Sequence, residues 1–448
     1  MSSKIDFYKQ EAETISQSKE KAKNSIKQKK FDTIATHGVY DLEEAMRHNG
    51  SIIEPVYMST AQVFRDADEM ETALAYEIPS WSYTRIHNPS FYFLESTLAL
   101  LEGYQTGHET SCCITSSGMS AIATVADALL AENPNANFIS SSQVYGGSFQ
   151  QFSVRQQHKN HEVRWVYPSA PIQDWEAQID SNTHFIYLET PSNPGLALCD
   201  IQALSELAHK YDILLVVDST IATPALLRPI EFGADIVIHS LSKTIAASGF
   251  AIGGAIISKN NIAGHFLDDD MKKDFATYLK LLPNRDNGAC LSPMQSFLIL
   301  SELRTLRTRV KELSGNTERV INFLEGHPNI DKVYYPGSKT HPQHQLAKSL
   351  FKLVDSETQH YGHLVSFTVK GGAEAAKKVL SAFKLIFRAT DLGRIKSVAT
   401  IPAISTHQQQ GEAGRDLAGI PNNLIRLCVG GEHPEDVIND LAQALEKA

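Results

Sequence analysis

The chain has 448 residues, 42% of them hydrophobic and 21% charged, with a formal net charge of -10 and an isoelectric point near 5.9. That length and composition support more than one hydrophobic core and exclude a chain dominated by disorder. The acidic balance argues against a broad nucleic-acid or membrane surface, which needs a basic face, and leaves small molecules as the expected partners. Cys112, Cys113, Cys199, Cys290 and Cys428 form an odd set without a CxxC pair. Such a set fits reduced thiols in a cytoplasmic protein better than disulfides or a metal site. The first thirty residues have no apolar core for a secretory signal, and they contain acids and no arginine, unlike a transit peptide. No window is long and apolar enough to span a bilayer.

Residues 1–30, rich in Lys, Glu and Gln, read as an exposed helix or a mobile arm. From Phe31 to about Glu77 no clean period emerges, and the text predicts an extended arm lying on another surface, so that 1–75 form an N-terminal extension. Helical spacing begins at Ser90 in FYFLESTLALLEG and stops at Gly103. The strand-like SCCIT follows, then SSGMSAIATVADALLA, which opens with small residues and continues as a helix. Strand and helix then alternate: FISSS, the turn VYGGSFQQF into a helix, HFIYLET, IQALSELAHKYD with Asp200 as N-cap, DILLVVD, IVIHS and GGAIIS. Strands separated by helices of this length predict a large, mostly parallel sheet over 76–288. The stretch from Ser292, with Pro293 at the first helical position, reads as a long helix, with Ser314 and Gly315 as the place where it would break. Beyond it, HLVSFTVKGG, AEAAKKVLSAF, NLIRLCVGG and PEDVINDLAQALEKA predict a smaller C-terminal α/β domain within 289–448.

The chemistry centres on ADIVIHSLSK, where a β-branched strand ends and Lys243 follows. A lysine at the carboxyl end of a parallel strand lies in the crevice where α/β proteins bind ligands, and desolvation there yields a neutral amine able to condense with an aldehyde. Three further features point to an aldehyde cofactor bearing a phosphate, pyridoxal 5'-phosphate. SSGMSAI places free backbone N-H groups and the positive end of a helix dipole at one spot, which suits a phosphate. Asp218 ends the buried strand of DILLVVDST, where a carboxylate needs a partner such as a pyridinium N-H. It lies 25 residues before Lys243, about one helix and one strand away, so neighbouring strands would present acid and amine side by side. Tyr145 stands at a strand-to-helix turn from which its ring could stack on the cofactor.

Taken together, YTRIHNPS (residues 83–90), SSGMSAI, VYGGSF, ETPSNP, VVDST, HSLSK and NLIRLCVGGEHPED resemble the Cys/Met-metabolism family of pyridoxal-phosphate enzymes, from about residue 33 to the C-terminus. This family comprises cystathionine synthases and lyases, methionine γ-lyase and O-acylhomoserine sulfhydrylases. The resemblance implies a fold-type I pyridoxal-phosphate transferase architecture. It also implies that Lys243 joins the cofactor covalently and later shuttles protons, and that Asp218 pairs with the pyridine nitrogen. Gly118, Met119, Ser240 and Ser242 would hold the phosphate, with Tyr83 and Arg85 reaching it from an adjacent subunit of a homotetramer built as a dimer of dimers. Tyr145 would stack on the ring and move a proton, Asn193 would bond the phenolic oxygen, and Arg426 would clamp the substrate carboxylate.

Departures from the family pattern bear on the substrate. In DLGRIKS, Asp391 stands where a serine of the family usually helps to place the substrate carboxylate, and Lys396 stands where cystathionine γ-lyases and synthases tend to have glutamate and sulfhydrylases more often a basic residue. If both face the far end of the substrate, they would receive the ammonium and carboxylate of cystathionine and favour a carbon-sulfur lyase working by β- or γ-elimination. The alternatives are γ-replacement, as in an O-acylhomoserine sulfhydrylase or cystathionine γ-synthase, and a non-catalytic regulator of the same fold. A dinucleotide-binding oxidoreductase is disfavoured, because no GxGxxG follows an early strand.

Overall fold

The computed structural model describes residues 4–131 and 133–448. Seven strands form the larger sheet: β1 (Thr110–Thr115), β2 (Asn137–Ser141), β3 (Glu162–Val166), β4 (Thr183–Glu189), β5 (Leu214–Asp218), β6 (Ile236–Ser240) and β7 (Gly254–Lys259). Their order is β1-β7-β6-β5-β4-β2-β3. The run from β3 to β6 is parallel, whereas β7 is antiparallel to both β6 and β1. The apolar runs of β5 and β6 have both faces covered: Leu215, Val217 and Val237 enter one core, and Leu214, Val216, Ile236 and Ile238 the other. That two-sided burial is why these strands read as continuous rather than alternating hydrophobic text.

N-terminal to the sheet lie α1 (Lys4–Lys27), α2 (Phe31–His37), α3 (Leu42–Arg47), α4 (Ala67–Leu74) and α5 (Pro89–Glu102). Of the two options for the first thirty residues, a helix forms from Lys4 onward; the three residues before it lie outside the described ones. Arg65 lies over the Tyr8 ring at 4.4 Å, and Lys19 is held between Trp81 and Tyr92 at 4.7 and 4.8 Å. The expected extended arm holds in part: residues 51–66 run without helix, while short helices form at Phe31–His37, Leu42–Arg47 and Ala67–Leu74. Phe31 and Ile34 of α2 are buried in the sheet core, and helices of six to eight residues are too short to print a 3.6-residue period. The α5 helix is buried along most of its length, and the Asn88 side chain caps it by accepting from the Ser90 amide at 2.9 Å.

A second sheet contains β8 (Ile330–Tyr334), β9 (Leu364–Val369), β10 (Phe387–Arg388), β11 (Val398–Thr400) and β12 (Leu424–Cys428) in the order β10-β11-β12-β9-β8. Its pairs are antiparallel except β10 with β11. Helices Gly372–Ala382 and Pro434–Leu445 share a core with this sheet. The linking segment forms two helices, Pro293–Leu303 and Leu306–Gly326, which part at Arg304 and Thr305. Ser314 and Gly315, the expected break, lie inside the second helix, where Ser314 is buried. The edge strand β3 escaped the sequence reading because Glu162 and Arg164 interrupt its apolar text.

Between α5 and the sheet, Lys280 forms an ion pair with Glu95, whose other oxygen accepts from the Ile114 amide at 3.2 Å. Both side chains are largely buried, so loss of one partner strands the other charge. Lys280→Met is expected to lower unfolding stability by about 3 kcal/mol or more. A Glu95→Leu, Lys280→Met double variant should lose less, and thermal or urea unfolding of the three proteins checks both outcomes.

Candidate functional site

The carboxyl ends of β4, β5 and β6 open into a cavity of about 440 Å³. Ten of the side chains expected from sequence line it: Gly118, Met119, Tyr145, Asn193, Asp218, Ser240, Ser242, Lys243, Asp391 and Arg426. Tyr83, Arg85 and Lys396 do not.

One end of the cavity is built by α6 (Gly118–Leu130), whose N-cap Ser117 accepts from the Ser120 amide at 3.1 Å while the Ser120 hydroxyl accepts from the Ser117 amide at 2.9 Å. This capping box satisfies the N-cap and N3 amides and leaves those of Gly118 and Met119, at N1 and N2, free for a ligand. A Cβ on Gly118 would lie 2.7 Å from the Ser240 Cβ, so helix start and strand end touch as closely as glycine permits. The Ser240 amide donates to Thr220 Oγ1 at 2.8 Å. The Ser242 hydroxyl is turned to Gly253, donating to its carbonyl at 3.2 Å and accepting from its amide at 3.0 Å.

Along the floor, Asp218 of β5 is register partner to Glu189 of β4. Asp218 accepts from the Thr220 amide at 3.0 Å and from the Tyr187 hydroxyl at 3.3 Å. Burial raises its carboxyl above the usual range, and among the described residues no cation forms an ion pair with it. Glu189 lies deeper in the same logic: burial and the adjacent Asp218 push it well up, and it accepts from the Tyr145 amide at 2.7 Å and the Asn193 amide at 2.9 Å. Sequence reasoning quoted Glu189 within ETPSNP and gave it no role. The available signal was its place as an acid ending a buried strand, the same pattern that singled out Asp218.

On the opposite wall the Lys243 ammonium donates to Asp391 Oδ1 at 2.6 Å, and Arg394 donates to Asp391 Oδ2. Gly393, at φ +75°, lies on the lysine's own backbone, where a Cβ would come within 2.4 Å of the Thr244 nitrogen. Arg426 is 1% exposed. Its guanidinium donates to Asn193 Oδ1 at 2.8 Å and to the carbonyls of Thr390 and Asp391, both at 2.9 Å. Burial depresses its pKa to about 10, and no carboxylate among the described residues forms an ion pair with it.

Two expectations need correction. Lys396 faces away from the cavity, its ammonium 5.2 Å from the Phe387 ring, and Asp391 is committed to Lys243 and Arg394. The charge argument for cystathionine, which required both to meet the far end of a substrate, therefore fails. Arg394, which lines the cavity, was not singled out in the sequence. Tyr83 and Arg85 lie on the exterior of this chain, with Arg85 bonded to the Arg285 carbonyl and 5.6 Å from the Tyr83 ring.

These donors fit pyridoxal phosphate. Free amides at a helix start suit a phosphate dianion, a buried carboxylate lacking a cation suits a protonated pyridine nitrogen, and an amine stands in the same cavity. Comparisons agree. The chain is 34% identical to an L-methionine γ-lyase of Fusobacterium nucleatum subsp. polymorphum over 89% of this chain and 94% of that protein. It is 33% identical to an O-succinylhomoserine sulfhydrylase of Pseudomonas aeruginosa over 93% and 95%. The solved structure of a putative O-acetylhomoserine (thiol)-lyase from Campylobacter jejuni, described with a pyridoxyl-lysine monophosphate, superposes with a TM-score of 0.84 at 31% identity, covering 93% of this chain and 100% of that one. Residues 33–446 match the family signature itself, and with it the chain takes its place among the Cys/Met metabolism PLP-dependent enzymes.

Proposed function

We propose that this protein is a carbon-sulfur lyase acting by β- or γ-elimination on a sulfur amino acid. The observation that carries the reading is a single cavity holding a lysine amine, a buried acid without a cation and a buried guanidinium without an anion. Pyridoxal phosphate supplies an aldehyde that captures an amino group and a ring that takes up the electron pair left when an α-proton departs. Asp218 would hold a proton on the ring nitrogen, and the amides of Gly118 and Met119 with the Ser240 hydroxyl would hold the phosphate. Arg426, fixed by Asn193 and two carbonyls, fixes the α-carboxylate and thereby the α-hydrogen beside Lys243. The Lys243 amine would take that α-proton and pass it to the departing sulfur, which leaves as a thiol; in γ-elimination it would also take a β-hydrogen and deliver a proton to the γ-carbon, with Asp391 restraining the amine between these positions. Tyr145, whose amide is tethered to Glu189, would cover the ring. Tyr83 and Arg85 complete the phosphate site of a neighbouring copy in a homotetramer, which their exterior position supports. The five cysteines are free, which supports a cytoplasmic setting, and among the described residues no helix is long and apolar enough to cross a membrane. We place the domain limits at 75 and 288, on either side of the seven-stranded sheet.

A second reading, γ-replacement on an acylated homoserine, is favoured by the similarity to the P. aeruginosa enzyme across 93% of the chain. Product analysis separates the two. Release of a 2-oxo acid from cystathionine, methionine or cysteine supports the lyase, and sulfide-dependent homocysteine formation with no 2-oxo acid establishes replacement. Lys243→Ala should remain folded, lose the visible absorbance of covalently bound cofactor and lose activity by about a thousandfold or more.

A pH signature follows from Asp218. Its carboxyl is raised by burial, so folding takes up protons between the ordinary carboxylate range and the raised value, and stability falls as pH rises through that window. In cofactor-free protein Asp218→Asn should therefore melt higher than wild type at pH 8, by about 1 °C or more. The advantage should vanish near pH 4, and it should reverse in cofactor-loaded protein, where the acid has its pyridinium partner. Melting curves with and without cofactor at the two pH values test this.

A further inference from the structure

The wall opposite the sheet is formed by residues 390–394, and on it Arg394 is held from three sides. Its Nε donates to Asp391 Oδ2, its Nη1 donates to the Ala246 carbonyl at 3.1 Å, and its guanidinium lies against Gly249, where a Cβ would stand 3.4 Å from Nη1 and 3.5 Å from Cζ. Nη2 has no protein partner among the described residues, and the residue lines the cavity. A guanidinium pinned this way presents its remaining edge as a ready fork for a carboxylate, at little further loss of conformational freedom.

Its neighbourhood fixes where such a carboxylate would sit. Arg426 donates to the backbone carbonyl of Asp391 and Arg394 to the carboxylate of the same residue, so the two forks are separated by the span of one amino acid. Among the described residues the charged side chains of this wall are three cations, Lys243, Arg394 and Arg426, and one anion, Asp391, an excess of two positive charges, with Asp218 and Glu189 on the floor of the same cavity. An α-carboxylate offsets one of them. We propose that Arg394 is a specificity-determining residue that receives a second carboxylate, carried at the far end of the substrate side chain, while Arg426 holds the α-carboxylate. Lys396, the basic residue expected there from sequence, lies outside the cavity. The proposal rests on the pyridoxal-phosphate reading of this cavity and narrows it to amino acids with an anionic side-chain end.

Two unreactive probes of equal chain length, L-2-aminoadipate and L-norleucine, differ only in that terminal carboxylate. Their dissociation constants for cofactor-loaded wild type, Arg394→Gln and Arg394→Lys are measured by calorimetry and by change in the visible spectrum. Wild type should prefer aminoadipate, Arg394→Gln should lose about tenfold to a hundredfold in aminoadipate affinity with norleucine unchanged, and Arg394→Lys should retain part of the preference. kcat/KM for O-succinylhomoserine relative to O-acetylhomoserine should fall in parallel. Equal weakening of both probes in Arg394→Gln, with cofactor absorbance intact, would show that Arg394 only braces Asp391 and overturns the proposal alone; so would a wild type without preference. A wild type that acquires no visible cofactor band and binds neither probe overturns the reading of the cavity and the proposal with it.

Discussion

Asp218 and Arg426 are ionisable groups withdrawn from water that form no ion pair among the described residues, and the architecture around the cavity follows from that arrangement. A buried ion without a counter-ion is among the most unfavourable features a fold can retain, and a well-packed apolar residue at either position would be more stable. Hydrogen bonds from Thr220 and Tyr187 to the acid, and from the guanidinium to Asn193 and two carbonyls, hold the groups without neutralising them. Neutralisation is left to what binds between them: a ring cation for one and a carboxylate anion for the other.

Each member of that pair comes from a different sheet. Asp218 ends a central strand of the parallel run, where register sets it against Glu189 and brings the lysine-bearing turn after β6 alongside. Arg426 belongs to β12, a central strand of the antiparallel sheet. The cavity is thus bounded by cores of both sheets, with Asp218 and Arg426 carried on strands and Gly118 and Met119 on a helix start, whereas Asn193, Asp391 and Arg394 stand on irregular segments. Placement on regular elements gives the donors fixed directions, which electrostatic recognition of a cofactor requires.

Much of this was legible in the sequence. The continuous β-branched runs of β5 and β6 are visible because they are buried on both faces, and the small residues of SSGMSAI are visible because the helix start must touch Ser240. What escaped has physical causes. The direction of β7 depends on the return of the chain after Lys243, which no local pattern records. The helix Phe31–His37 is held by packing of Phe31 and Ile34, and Leu42–Arg47, which buries no residue, is held by the Asp41 cap and by Arg47 pairing with Glu43 and Glu44, so neither has a period of its own to show. Lys396 and Arg394 are two residues apart on an irregular segment, and only the path of the backbone decides which of them looks into the cavity. Glu189 was hidden in plain view, since an acid at a strand end reads equally as a helix cap.

The close contact at Gly393 gives the site an unusual mechanical character. Main chain rests on main chain there, so the segment that carries the selectivity side chains is keyed to the lysine's own backbone and not to any replaceable group. Asp391 and Arg394 flank that contact and reach back to the amine through the Lys243–Asp391 ion pair, so side chains there help to aim it. The amine and the wall that faces it are in this way joined through one backbone contact, and a shift of either carries the other with it.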